Sequence, residues 1–276
     1  ERFGDPCDYA WGITVEARIW RHRPASVPRE ALVRLNSALP ILENSERRHE
    51  PVIIRQLSEL HGYISVMHRQ LSNLSGAEKE SEEGLRLIVK DLSPDDVLQA
   101  VDLPDDYLLA THLRALGGVW RLRGDFRRAT LAHLRALEVF ERIYGRDHMD
   151  ICRALDSLGR VQREWGELDA ALQTFERAGQ ISKKLFDASH AHVGTAAVNR
   201  ALTFLELDQP ENAYGEAACG LNIYRVAYRE PDDNSGLQNE ATVWALFVQA
   251  DTLAALGKLD VAVRDHGCVL AWRLAH

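Results

Sequence analysis

His190-Ala-His192 sets two imidazoles two residues apart, a spacing that can share a metal ion. A metal centre needs three or four ligands, and nothing in the sequence supplies the others. His148 stands 42 residues earlier in the same register, so a helix-capping role is expected and no metal. The four cysteines, at 7, 152, 219 and 268, have neither close spacing nor histidine partners. They are expected to be buried small hydrophobes of a reducing compartment rather than a disulfide or a zinc site. The phosphate loop Gly-x-x-x-x-Gly-Lys-Ser/Thr, the Gly-x-Ser-x-Gly elbow and His-Glu-x-x-His are all missing. A hidden acid–base enzyme would have to draw on His61, His68 or Glu83; the leading expectation is no catalysis and no cofactor.

The elements that position these residues are written as a repeat over 110–223. Gly124 opens Gly-Asp-Phe-Arg-Arg-Ala129, Gly166 opens Gly-Glu-Leu-Asp-Ala-Ala171, and Asp208 opens Asp-Gln-Pro-Glu-Asn-Ala213, at intervals of 42 residues. A fourth copy, Gly257-Lys-Leu-Asp-Val-Ala262, follows after 49, with the excess falling around 231–236. Leu113, Leu116, Gly117 and Trp120 form an apolar stripe before the first turn, and Ala129, Ala136 and Val139 another after it. Two amphipathic helices joined at a glycine make an antiparallel hairpin. Gly117 and Gly159 are expected to face Ala129 and Ala171, where the helices approach closely. One hairpin cannot bury both stripes, so copies must stack.

Leu-Gly, a long residue three further on, a turn Gly and two later alanines together resemble the tetratricopeptide repeat. The interval exceeds the usual 34 residues and is similar to that of kinesin light chains and of arrays in actinobacterial regulators. Their Gly-x-Asp-His-x-Asp loop stands here as Gly145-Arg-Asp-His-Met-Asp150. The resemblance implies an all-α, right-handed α-solenoid of helical hairpins. Four repeats are expected at about 107–148, 149–189, 190–235 and 236–276, within a regular region 104–276, behind an irregular helical portion 1–103. In such arrays the first helices line a concave groove. Carried onto this chain, the groove-facing residues are Arg114, Gly118, Arg121 and Leu122, then Arg153, Asp156, Arg160, Arg163 and Glu164. Further along come Val198, Leu202, Leu205 and Glu206, then Trp244, Phe247 and Asp251; Asn199 sits where related peptide clamps place an amide.

Guanidinium groups bind carboxylates bidentately. The expected partner is therefore a protein or peptide segment, acidic toward repeats one and two and apolar toward repeats three and four. The competing expectation is that the arginines pair with Asp156, Glu164 and neighbouring glutamates across helix turns. With a net charge of −8, nucleic acid is disfavoured, although an arginine-lined face leaves a transcriptional regulator as the alternative. No apolar run approaches 18 residues and no charged-then-apolar leader is visible, so a cytoplasmic protein without a membrane partner is expected. The leading function is a non-catalytic scaffold, the partner-sensing arm of a bacterial regulatory protein. Val269, Leu270 and Trp272 on the last helix point to self-association.

Before the array the pattern is looser. A helix is expected in 1–24, starting at Asp5-Pro6, then a linker over 24–28. Ala31, Leu35, Ala38 and Leu42 predict a helix from Pro28. Two more, over 51–71 and 77–89, are expected to join near Ser75-Gly76, with Glu78 to Glu83 as a solvated face. Ser93-Pro94-Asp95-Asp96 has capping-box spacing and opens a short helix in the joint before Pro104.

Overall fold

The computed structural model describes residues 7, 10, 12–16, 28–90, 92–230, 232, 234 and 237–275. Among them all regular structure is helical, as expected of stacked hairpins, and the chain divides into two compact units, Glu1–Gly145 and Arg146–His276. The expected helix start at Asp5-Pro6, the linker over 24–28 and most of the 231–236 insertion lie outside the described residues.

Unit 1 contains α1 (Pro28–Glu43), α2 (Pro51–Gln70), α3 (Leu74–Arg86), α4 (Pro94–Gln99), α5 (Tyr107–Leu122) and α6 (Phe126–Tyr144). Residues 12–16 are also helical, and Cys7, Ala10 and Ile13 pack into one cluster with Leu35 and Leu42 of α1 and Leu60 and Ile64 of α2. α2 and α3 form a hairpin against which α5 and α6 form the next. Its turn lies at Ser72, with φ 58°, earlier than the Ser75-Gly76 join that the sequence suggests. Gly76 is instead inside α3, capped by the Asn73 side chain, which accepts from its N–H at 3.0 Å.

Unit 2 contains α7 (Met149–Glu164), α8 (Leu168–Leu185), α9 (Ala191–Glu206), α10 (Pro210–Tyr228), α11 (Glu240–Ala255) and α12 (Leu259–Ala275). Successive helices pair as three hairpins, with α8 packed on α9 and α10 on α11. The first helices of the four clear copies begin at 107, 149, 191 and 240, reproducing the 42, 42 and 49 intervals. All four are 16 residues long, while their partners run to 19, 18, 19 and 17, which is where the length beyond the usual repeat goes. Gly124, Gly166 and Gly257 turn the chain with φ between 75° and 87°, and Asp208 takes the same left-handed geometry at 57°. A short polar side chain tolerates that region better than a branched one.

Close helix approach is achieved differently from the glycine-to-alanine contact predicted. A Cβ on Gly117 would lie 2.8 Å from His133 Nε2, and one on Gly159 2.6 Å from Phe175 Cε1. Each glycine therefore receives a ring from the second helix, while Ala129 and Ala171 are buried nearby. Two small faces would leave a void; a ring set into a glycine gap restores close packing.

The joint 93–106 is fastened to α6 by three arginines spaced seven residues apart. Arg128 pairs with Asp95 at 2.9 Å. Arg135 donates to the carbonyls of Leu98 and Ala100 at 3.0 and 2.7 Å, and Arg142 to that of Leu103 at 2.8 Å. Ser93 and Asp96 close the expected capping box. Arg135→Ala is expected to cost about 2 kcal/mol, since two charge-assisted bonds to half-buried carbonyls are lost. Hydrogen exchange should show 93–106 opening before the rest of unit 1; unaltered protection there would refute the fastening.

Three further expectations are corrected. Glu78 and Glu80 are half-buried rather than solvated, because buried donors need acceptors: Trp120 Nε1 donates to Glu78 at 2.8 Å and His61 Nδ1 meets Glu80 at 2.8 Å. Cys219 is exposed and Cys268 half-buried, whereas Cys7 and Cys152 are buried as predicted; none of the four is held in a disulfide. On α12, Val269 is buried in the unit 2 core with Trp272 packed against it, while Leu259, Val261, Val263, Leu270 and Leu274 are its large exposed apolar side chains.

Candidate functional site

α9 touches both α7 and α11 directly as well as through their partner helices, so in unit 2 the first helices form one layer. Arg153, half-buried, lies 3.5 Å from Asp150. Arg163 reaches the next first helix, pairing with Glu206 at 3.1 Å. Arg160 is exposed and acts on Asp156, four residues before it. Arg153 is thus paired across a helix turn, as the competing expectation has it though with Asp150, whereas Arg163 is paired one repeat away and not across a turn. Arg114 and Arg121 lie half-buried on α5, in unit 1, where Arg69 of α2 reaches the face of Gly118.

Asp156 was placed in this set only by its offset. Its Oδ1 is buried and accepts no hydrogen bond from the protein. Burial raises its carboxyl to about 7, against the opposing pull of Arg160. Across the seam, burial lowers the His192 imidazole, which Arg153 lowers further, so it is neutral at pH 7. Tyr224, pushed up to about 12 by burial, shares a 2.9 Å hydrogen bond with Thr195. Asn199 and Leu202 are half-buried on the same helix; Leu202 packs on the core cluster and Val198 is buried within it, filling the gap at Gly220. Val198 therefore faces α10, not the inner layer, because a β-branched chain fits where no Cβ opposes it.

At the far end of the layer Trp244 and Phe247 stack with ring centroids 5.3 Å apart and planes at 16°. Trp244 is 42% exposed, a large fraction for an indole already stacked on one side. Arg273 lies over Phe247 at 5.6 Å, and His266 pairs with Asp251 at 3.2 Å.

The histidines resolve by position. His148 caps α7 and His190 caps α9, each Nδ1 accepting the N–H two residues on, at 3.2 and 3.3 Å. His192 instead stacks beside His190 at 5.4 Å. Both line a cleft of about 690 Å³ with Thr195, Tyr224, Tyr228 and Arg229. Among the described residues no three His, Cys, Asp or Glu side chains converge as metal ligands would. His61, His68 and Glu83, the residues named for a hidden enzyme, are bound to Glu80, Asn73 and Arg86 respectively.

Sequence reasoning missed His112. It is fully buried on α5 with Nε2 2.9 Å from Ser58 Oγ and 3.1 Å from the Ser58 carbonyl. Ser58 gives its own proton to the Gly84 carbonyl at 3.0 Å, so the imidazole proton sits on Nε2 and Nδ1 has no partner. This hydroxyl–imidazole pair has the contact distance of a nucleophile and base, yet Ser58 and His112 are both 0% exposed. It is packing. The signal was present: Gly84 and Gly62 in adjoining helices leave room for a ring.

Helical hairpins at a fixed interval, whose first helices form a common layer in unit 2, define a helical repeat protein. Residues 107–184 match the family model of the tetratricopeptide repeat, so this part of the chain carries that repeat. No curated protein matches the sequence. Among solved structures, BtubC (BKLC) from P. vanneervenii is similar at a TM-score of 0.69 and 12% identity, over 91% of this chain and 92% of that one. The apo form of RapI aligns at 0.63 and 14%, over 99% of this chain and 85% of that one. A Rap protein complexed with Competence and Sporulation Factor aligns at 0.62 and 12%, over 96% and 76%. At such identities the likeness is one of fold alone. Among the described residues no helix is long and apolar enough to cross a membrane.

Proposed function

We propose that the first-helix layer of unit 2 binds a protein or peptide segment, acidic where it meets α7 and apolar where it meets α11. The observation that carries this reading is the Trp244–Phe247 pair: a stacked, part-exposed aromatic platform on the layer that also bears Arg153 and Arg160. Tryptophan and arginine are the side chains most often found at the energetic centres of interfaces. Asn199 and Leu202 lie between, an amide for backbone and an apolar contact. Arg114 and Arg121 offer the same guanidinium chemistry in unit 1. The protein so described is a non-catalytic, cytoplasmic scaffold serving as the sensing arm of a regulatory assembly, and the exposed Leu270 and Leu274 on α12 serve its self-association.

The probe is a fluorescent peptide of four glutamates followed by four leucines, with its reversed sequence as the second arm. Binding by one of them should weaken at least tenfold in Arg153→Glu/Arg160→Glu, because two attractive contacts become repulsive. Trp244→Ala should weaken it by a similar factor. Affinities untouched by both changes would dispose of the reading.

A further inference from the structure

We propose that unit 2 takes up its acidic segment together with one proton from solvent, which Asp156 carries. The inference rests on the acidic-segment reading above and concerns what that binding does to the carboxyl beneath the arginines. Asp156 Oδ1 has neither a donor nor water-accessible surface, so its ionised form is poorly served by the protein. Arg160, four residues on, is the cation that acts on it, and Arg153 stands three residues before it. A carboxylate from a partner seated on these guanidiniums adds a second negative charge within Coulomb range. Two like charges in one site push one of them to the neutral form. The cheapest response is for Asp156 to bind a proton, leaving the guanidiniums to the partner.

The other groups around the seam do not do this work. On α7 the Cys152 thiol is pushed up by burial and bonded to Ser182 of α8. From α9, His192 is held neutral above its lowered range, and from α10 the Tyr224 phenol stays protonated. Asp150 is already beside Arg153, Glu206 is on Arg163, and Lys184 of α8 is turned to Asp147. The Nδ1 atoms of His148 and His190 are engaged as helix caps.

With the Asp156 carboxyl at about 7, about nine-tenths of the free protein is neutral there at pH 6 and about one-tenth at pH 8. A partner that needs the neutral form has its apparent affinity scaled by that fraction. The glutamate–leucine peptide should therefore bind wild type about tenfold more weakly at pH 8 than at pH 6. Asp156→Asn, an uncharged replacement of similar shape, should bind at both pH values as wild type does at pH 6. Calorimetry of wild type at pH 7 in phosphate and in Tris needs no variant; the difference in heats should report uptake of roughly half a proton per peptide. Binding that is equally tight at pH 6 and 8, a pH dependence that survives in Asp156→Asn, or equal heats in the two buffers would overturn the inference and leave the peptide-binding reading standing. No binding of either peptide at either pH would overturn both.

Discussion

Replacing Gly84 by alanine is expected to destabilise unit 1 by about 3 kcal/mol, at the upper end for an inserted methyl in a packed core. The new Cβ would stand 2.1 Å from His112 Cε1 and 2.4 Å from Nε2, far inside contact distance. The imidazole cannot swing away cheaply, since it is fully buried and its Nε2 is held between Ser58 Oγ and the Ser58 carbonyl. α3 would have to withdraw from both α2 and α5. Removing the ring removes the conflict, so Gly84→Ala in a His112→Ala background should cost about 2 kcal/mol less than in wild type. Denaturant midpoints of the four proteins give the cycle; additive effects would mean that glycine and ring are not coupled.

Acid should loosen the same node. Burial lowers the His112 imidazole from 6.5 to about 4, with His61 adding to it, and the unpartnered Nδ1 shows why: a proton there would find no acceptor. The unfolded chain binds its proton first as pH falls, so this contribution is intact above pH 6.5 and drains away between 6.5 and 4. The sum is about 3 kcal/mol. His112→Gln carries no such proton. It starts less stable, yet its stability between pH 7 and 4 should fall by about 3 kcal/mol less than that of wild type. Hydrogen exchange of the α5 amides would follow it, and parallel pH profiles for the two proteins would contradict the assignment.

What the sequence made legible was whatever depends on local pattern. Leu113, Leu116 and Trp120 mark one buried stripe, and Gly124, Gly166 and Gly257 turn the chain because no Cβ obstructs a left-handed residue. Ser72 hid the α2–α3 turn because a serine there carries no such mark. Long-range partnerships were hidden too. Nothing within a few residues of Gly117 or Gly159 announces that His133 or Phe175 will fill it, and nothing near Glu78 announces the Trp120 indole. The candidate site divides the same way. The arginines of α7 and the aromatics of α11 came from repeat offsets, whereas the engagement of Arg163 with Glu206 and the orphaned oxygen of Asp156 depend on what the neighbouring helix supplies.

The fastening of 93–106 to α6 has a bearing on which substitutions the chain can absorb. Three of its acceptors are the main-chain oxygens of Leu98, Ala100 and Leu103, which any residue type would offer equally well. Sequence drift at Ala100 would leave the latch closed, while loss of a single guanidinium undoes its share whatever stands opposite. In a set of relatives, arginines at 135 and 142 would outlast the identities of the residues they grip.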